Sequence, residues 1–196
     1  MASSTRIPQT ELTGIYGGLI KWMCRKKFGK VPDGAAVMWH YPAVFKDMMG
    51  MGRKVEKWDR LDPNLASLTS MAAASVVGCS ACLDLHYFMT HNKGLDEAKA
   101  REVPRWRESS AFTSVERRAM EYAEAMSQTP PIVTDEMSAA LLEDLGPAGL
   151  VELTGRIGMM NSAARGNIAL GIRSEEFAEA CGLQPLATQA EAVAAA

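Results

Sequence analysis

The chain has 196 residues with a formal net charge of −2; 47% of them are hydrophobic and 22% are charged. These values are typical of a single globular domain, and the near-neutral charge gives no electrostatic basis for binding nucleic acid or an anionic membrane. The first residues lack the apolar core of a secretory signal, and no apolar run approaches the roughly 20 residues that span a bilayer. We therefore expect a cytoplasmic protein that binds neither nucleic acid nor membrane.

Apolar residues recur with helical spacing along most of the chain, and no segment shows the sustained alternation of a half-buried strand. Asp62 followed by Pro63 is a strong helix start, because Asp caps the first turn and Pro fits the first helical position. Thr113 and Glu116 have the spacing of a capping box. The predicted helices span about 10–28, 34–40, 42–58, 63–77, 79–92, 95–103, 114–127, 135–145, 148–170 and 175–181.

We interpret this pattern as one all-α domain in which helical hairpins pack around the helix at 63–77, whose many small residues allow close approach. Residues 1–34 are predicted to form an N-terminal helical extension, residues 35–182 the helical domain, and residues 183–196 a flexible C-terminal tail.

A weak internal similarity links two of these helices. The segments LASLT at 65–69 and LVELT at 150–154 lie 85 residues apart. In this register Ser67 corresponds to Glu152 and Cys82 to Asn167. The identities are few, but they fit two related helical hairpins.

The segment GCSACLDLHYFMTH at 78–91 contains two of the four cysteines and two of the three histidines. Cys79, Cys82 and His86 stand at positions 0, +3 and +7, so all three point from one face of a helix. A helix that begins at the cysteines favours a thiolate there, and a histidine one turn further on can take or return a proton. These are the parts of a dithiol redox centre.

Two other interpretations of this motif remain open. A structural zinc site needs four ligands, usually from two clusters, and the only further candidate nearby is His91, about 120° away around the helix. The other interpretation is two buried cysteines that serve packing, beside a histidine whose hydrogen bonds are satisfied. We assign packing roles to the other two cysteines, Cys24 and Cys181, and a structural role to His40.

The small-residue helix, the motif GCSACLDLH and the later stretch from AFTSVERRAMEYAEAM to NSAARGNIALGI occur in an order that resembles the carboxymuconolactone decarboxylase and alkylhydroperoxidase D superfamily. The resemblance covers about residues 35–175. It implies an all-α fold in homo-oligomers: trimers, hexamers or dimers. It also implies that Cys79 and Cys82, assisted by His86, reduce a small hydroperoxide or disulfide. A thiol protein or small thiol then reduces the cysteine pair again, and no metal, haem or flavin takes part.

One position departs from the family pattern. Redox members usually carry a glutamate twelve residues before the first cysteine, as part of a proton relay, and this chain has Ser67 there. A serine hydroxyl cannot act as a carboxylate base at neutral pH, although it can hold a water or orient His86. Glu152, which corresponds to Ser67 in the internal register, is a candidate replacement.

We therefore predict a cysteine-based peroxidase or thiol-disulfide oxidoreductase, with Cys82 as the attacking sulfur and Cys79 as the resolving one. The first alternative is a lactone decarboxylase that acts on a small carboxylic acid, which Arg156 and Arg165 would grip. The second is a redox-sensing oligomeric protein with little turnover. The cysteine pair favours redox chemistry over decarboxylation.

Overall fold

A computed structural model describes residues 5–187, and within them the secondary structure is helical, with no strand. The prediction of an all-α fold is confirmed. A short 3₁₀ turn at Val103–Arg105 follows the sixth helix. The α-helices are α1 (Gly14–Phe28), α2 (Asp33–Met38), α3 (Pro42–Val55), α4 (Pro63–Val77), α5 (Ser80–Asn92), α6 (Glu97–Glu102), α7 (Ser114–Ser127), α8 (Asp135–Leu170) and α9 (Phe177–Ala180).

Helix α4 is the centre of the bundle. Its residues 65, 66 and 68–74 are all buried. The side chains of α4 are small or apolar on every face in this part, so neighbouring helices can pack around it. Helices α5, α7 and α8 pack against it, as the run of small residues predicts. Met71, Ala72 and Ala73 are completely enclosed there. The position of α5, and with it the cysteine motif, is therefore set by a rigid central element.

The predicted caps fix the starts of two helices. Asp62 Oδ1 accepts hydrogen bonds from the amides of Asn64 (2.9 Å) and Leu65 (3.2 Å), at the start of α4. Thr113 and Glu116 form the capping box of α7, in which each side chain bonds to the other residue's backbone amide. Both predictions are confirmed.

Helix boundaries differ from prediction where local signals were weak. α1 begins at Gly14, α3 ends at Val55 and α9 covers only Phe177–Ala180, so each is shorter than predicted. The predicted break before Pro147 is confirmed, because α8 consists of two helical segments that meet at a kink. Gly146 has φ 66° and ψ 172° there, a conformation outside the helical region.

The apolar side chains of α1 are only partly buried. Ile20 packs in a small cluster with Trp39 and Phe45, whereas the side chain of Ile15 is 97% exposed and that of Trp22 is 60% exposed. The apolar surface of α1 is wider than the area over which α1 contacts the rest of the described chain. Its outer half therefore faces solvent.

The described part of the predicted tail contacts the domain. The amide of Ala187 donates to the carbonyl of Arg101 at 3.0 Å, and Ala187 is buried. The remainder of that tail, 188–196, lies outside the described residues. Across 5–187, no helix is both long and apolar enough to cross a membrane.

Candidate redox site

The cysteine pair occupies the junction between α4 and α5. Gly78 ends α4 in the left-handed region (φ 82°), which lets the chain reverse within one residue. Cys79 is then the N-cap of α5, and its sulfur accepts a hydrogen bond from the amide of Cys82 at 3.2 Å. Cys79 and Cys82 form a disulfide across the first turn of α5, with their Cα atoms 5.3 Å apart.

Cys82 has a hydrogen-bond donor from another helix. Asn167 on α8 directs its side-chain nitrogen at the Cys82 sulfur, 3.5 Å away. Sequence reasoning gave Asn167 no functional role. The internal similarity, which sets Asn167 opposite Cys82, was the one signal available.

Both sulfurs are enclosed by the fold. Cys79 is 1% exposed and Cys82 is 4% exposed. The described part of the chain has a cavity beside His86 and a smaller one beside α9, and neither Cys79 nor Cys82 lines either of them. In the disulfide form, the pair is thus closed to bulky reagents.

A cavity of about 510 Å³ lies on the side of α5 that carries His86. Helices α1, α3, α4 and α5 form its walls, and the segment 56–61 closes one side. Its floor is built from buried or partly buried apolar and hydroxyl side chains, whereas charged side chains and methionines surround the mouth. The lining residues used below are Lys27, Met48, Met49, Arg53, Glu56, Ser67, His86, Thr90, Lys93 and Arg156.

His86 is a neutral base at pH 7. Burial lowers the pKa of its imidazole to about 4; the Glu56 carboxylate opposes this change, and the cationic groups of Lys93 and Arg156 add to it. Its ring makes no hydrogen bond to any other residue in the described range 5–187, and it lines the cavity. The lone pair of the ring is therefore available to a bound molecule.

The hydroxyl of Ser67 bonds to Thr90, and no hydrogen bond joins it to the imidazole within residues 5–187. The Thr90 hydroxyl donates to the carbonyl of His86 at 2.9 Å, so its proton is already used. Ser67 Oγ, 2.7 Å from Thr90 Oγ1, must then be the donor in that contact. Ser67 thus supports the backbone that carries His86, an orienting role that the sequence allowed.

Glu152 has a structural role in this arrangement. Its carboxylate is buried and accepts from the amide of Arg60 (2.6 Å) and from Nε of Arg156 (2.8 Å), while Arg156 also donates to the carbonyl of Trp58 (3.0 Å). These bonds hold the 58–60 segment against α8. Glu152 does not line the cavity.

The carboxylate that lies near His86 is Glu56, which sequence reasoning missed. It follows the last residue of α3, lines the cavity, and forms an ion pair with Lys93. Although burial opposes the effect, the hydrogen bond and charge of Lys93 lower the pKa of Glu56. No short-range motif marks this residue, because 30 positions separate it from His86.

The other candidate residues lie elsewhere. The ring of His40 bonds to the carbonyl of Pro8 (2.8 Å) and that of His91 to the carboxylate of Glu97 (2.7 Å). Arg165 donates to the loop after α7, so the fold does not place it with Arg156 around one carboxylate. No cluster of three or more His, Cys, Asp or Glu suited to a metal ion occurs in the range 5–187.

Sequence comparison decides the family. The sequence profile of the carboxymuconolactone decarboxylase family matches residues 42–125. YnjA of Escherichia coli (strain K12), an uncharacterized protein, is 34% identical over 155 residues, which make up 79% of this chain and 85% of YnjA. The chain belongs to the carboxymuconolactone decarboxylase family. YdfG of Bacillus subtilis (strain 168), also uncharacterized, is 27% identical over 134 residues, 68% of this chain and 90% of YdfG.

Solved structures share the fold of this family member. The debrominase Bmp8 superposes with a TM-score of 0.76 at 17% identity, over 92% of this chain and 96% of Bmp8. An alkylhydroperoxidase AhpD core, an uncharacterized peroxidase-related protein from Ralstonia eutropha JMP134, gives a TM-score of 0.75 at 16% identity, over 90% of this chain and 96% of that one. The family and its neighbours thus include enzymes on the same all-α scaffold.

Proposed function

We propose that this protein is a cysteine-based peroxidase that reduces organic hydroperoxides with the Cys79–Cys82 dithiol. The observation that carries the proposal is the disulfide at the first turn of α5, with a separate hydrogen-bond donor on each sulfur. Donors directed at sulfur stabilise a thiolate, which is the reactive form. The neutral His86, one turn further on, completes the set of groups that the chemistry needs.

The proposed cycle begins with the reduced dithiol. The Cys82 thiolate attacks the terminal oxygen of the hydroperoxide; an S–O bond forms, the O–O bond breaks, and the alkoxide takes a proton and leaves as an alcohol. Cys82 is then a sulfenic acid. The Cys79 thiolate attacks that sulfur, the disulfide forms, and the hydroxide, once protonated, leaves as water.

An external thiol closes the cycle. A dithiol protein, or two small thiols, reduces the disulfide by exchange, supplies two electrons and is itself oxidised to a disulfide. We propose a cytoplasmic location, where such reductants are maintained. In this scheme His86 takes the thiol proton and returns it to the leaving alkoxide, and Ser67 positions His86 through Thr90.

The enclosure of the sulfurs favours a second candidate, a redox switch that is oxidised once and is then reduced slowly. The first turn of α5 must open for a bulky thiol to reach either sulfur. A switch and a catalyst differ in stoichiometry. A catalyst consumes many equivalents of hydroperoxide when a reductant is present, and a switch consumes one.

The test is consumption of cumene hydroperoxide by the fully reduced protein with excess dithiothreitol. We expect many turnovers in the wild type, and loss of at least nine-tenths of the rate, roughly the contribution of a nucleophilic group, in Cys82→Ser. Cys24→Ser and Cys181→Ser, which alter the two unpaired cysteines, should retain the wild-type rate. One equivalent consumed would indicate the switch, no consumption would contradict both redox roles, and an unchanged rate in Cys82→Ser would contradict attack by Cys82.

A further inference from the structure

The cavity beside His86 carries a charge opposite to that of the whole chain. The formal net charge of the protein is −2, yet four cationic side chains and a single carboxylate line the cavity. With its pKa lowered to about 4 by burial, His86 adds no charge at pH 7. The cavity therefore has a surplus of positive charge.

Two of the four cations are already ion-paired, and the other two form no ion pair with a residue in 5–187. Arg156 is bonded to Glu152 and to the backbone of Trp58, and Lys93 is paired with Glu56. Lys27 on α1 and Arg53 on α3 also line the cavity, and neither forms an ion pair with any residue in 5–187. The Nζ atom of Lys27 lies 5.5 Å from the centroid of the Phe28 ring, a contact that leaves its N–H donors available to an anion, as are those of Arg53.

Polarity changes with depth in the cavity. Leu61 and Ala66 are buried at its floor, and Met48 and Met49 lie at the mouth with Lys27 and Arg53, all four exposed. The volume, about 510 Å³, is in the usual range of small-molecule sites. This arrangement suits a molecule with an apolar body and one anionic end.

We propose that the cavity binds an amphipathic organic carboxylate, with the carboxylate at Lys27 and Arg53 and the apolar body on the floor beside His86. The inference rests on the proposed function for the reacting group: the substrate class would be a carboxylic acid that carries a hydroperoxide on its apolar body, away from the carboxylate. Binding itself requires no redox step, so it can be tested separately.

The experiment is isothermal titration of the full-length protein with octanoate and, as its uncharged counterpart, 1-octanol. We expect octanoate to bind about tenfold more tightly than 1-octanol, the combined effect of two partly exposed ion pairs. The double variant Lys27→Met/Arg53→Met should lose that preference and keep its affinity for 1-octanol. Lys26→Met/Lys54→Met also removes two positive charges from α1 and α3, but at positions outside the cavity lining, and should bind as the wild type does.

Two results would overturn the inference. One is equal affinity of the wild type for octanoate and 1-octanol. The other is an equal loss of octanoate binding in both double variants, which would indicate general charge attraction instead of a site. Octanoate binding without hydroperoxide turnover would leave this inference standing while the proposed peroxidase failed. Turnover of cumene hydroperoxide without a preference for octanoate over 1-octanol would support the peroxidase and contradict the carboxylate site.

Discussion

At the scale of single residues, Asn167 is the contact that most directly affects the reactivity of Cys82. A donor directed at sulfur stabilises the thiolate relative to the thiol, and a hydrogen bond to a charged group is worth about 1.5 kcal/mol, or about one pKa unit. We expect Asn167→Ala to raise the pKa of the Cys82 thiol, because the thiolate loses this donor. The measurement is the pH dependence of iodoacetamide alkylation at Cys82 in the reduced protein, followed by peptide mass spectrometry.

The matched control for this variant is Asn161→Ala. Asn161 lies on the same helix but bonds to the hydroxyl of Ser127, so its loss should leave the Cys82 profile unchanged. Identical profiles in the wild type and Asn167→Ala would show that the 3.5 Å contact does not influence the thiolate.

His86 makes stability depend on pH in a defined direction. The unfolded chain binds a proton at His86 below about pH 6.5, whereas the folded protein, with a pKa of about 4, does not. The contribution of His86 to the free energy of unfolding is therefore fully present above pH 6.5 and is lost as the pH falls to 4. Since part of the ring faces the cavity, we expect a loss of about 2 kcal/mol in the free energy of unfolding.

Urea unfolding of wild type and His86→Gln at pH 7 and pH 4 measures this difference. Carboxylates titrate in the same range, so the informative quantity is the pH-dependent loss in the wild type minus that in the variant. His91→Gln alters an exposed histidine in the last turn of α5 and should show the same pH-dependent loss as the wild type. Equal losses in wild type and His86→Gln would contradict the enclosed, neutral imidazole.

At the scale of helices, the kink in α8 depends on one residue. Gly146 has φ 66° and ψ 172°, a region almost restricted to glycine. Gly146→Ala should destabilise the protein by about 1–3 kcal/mol, through strain alone, because an added Cβ would meet no atom within 4 Å. The measurement is the urea midpoint, compared with that of the wild type.

Gly166→Ala is the matched control in the same helix. Gly166 has helical backbone angles, and a Cβ there also meets nothing within 4 Å. Alanine is a better helix former than glycine, so this variant should be neutral or more stable by up to about 1 kcal/mol. Equal destabilisation by both substitutions would contradict the assignment of strain to the kink.

The sequence predicted the helices well wherever a local signal was present. Asp62, Thr113 and Gly78 act within a few residues of their own positions, so the starts of α4 and α7 and the turn before Cys79 could be predicted. Long-range contacts could not. Asn167 reaches Cys82, and Glu56 reaches the His86 cavity, only because α8 and α3 pack near α5, and nothing in the local pattern specifies that packing.

At the scale of the whole molecule, self-association stays a prediction from the family resemblance. The outer side of α1 exposes Ile15, Leu19, Trp22 and Met23, which follow one another at helical spacing. Single exposed apolar side chains are common, whereas a row along one helix is less so. We expect light scattering after size exclusion to give a multiple of the 21.2 kDa chain mass, and a monomer mass would contradict the prediction.

The two methionines at the cavity mouth, Met48 (36% exposed) and Met49 (44% exposed), have a consequence for any work with peroxides. An oxidant that enters the cavity passes their thioethers, and sulfoxide formation would turn an apolar entrance into a polar one. Activity lost in this way would not return with dithiothreitol, although methionine sulfoxide reductase would restore it. Peroxide would then inactivate the protein by two separate routes, oxidation of cysteine and oxidation of methionine. A count of free thiols would detect only the first.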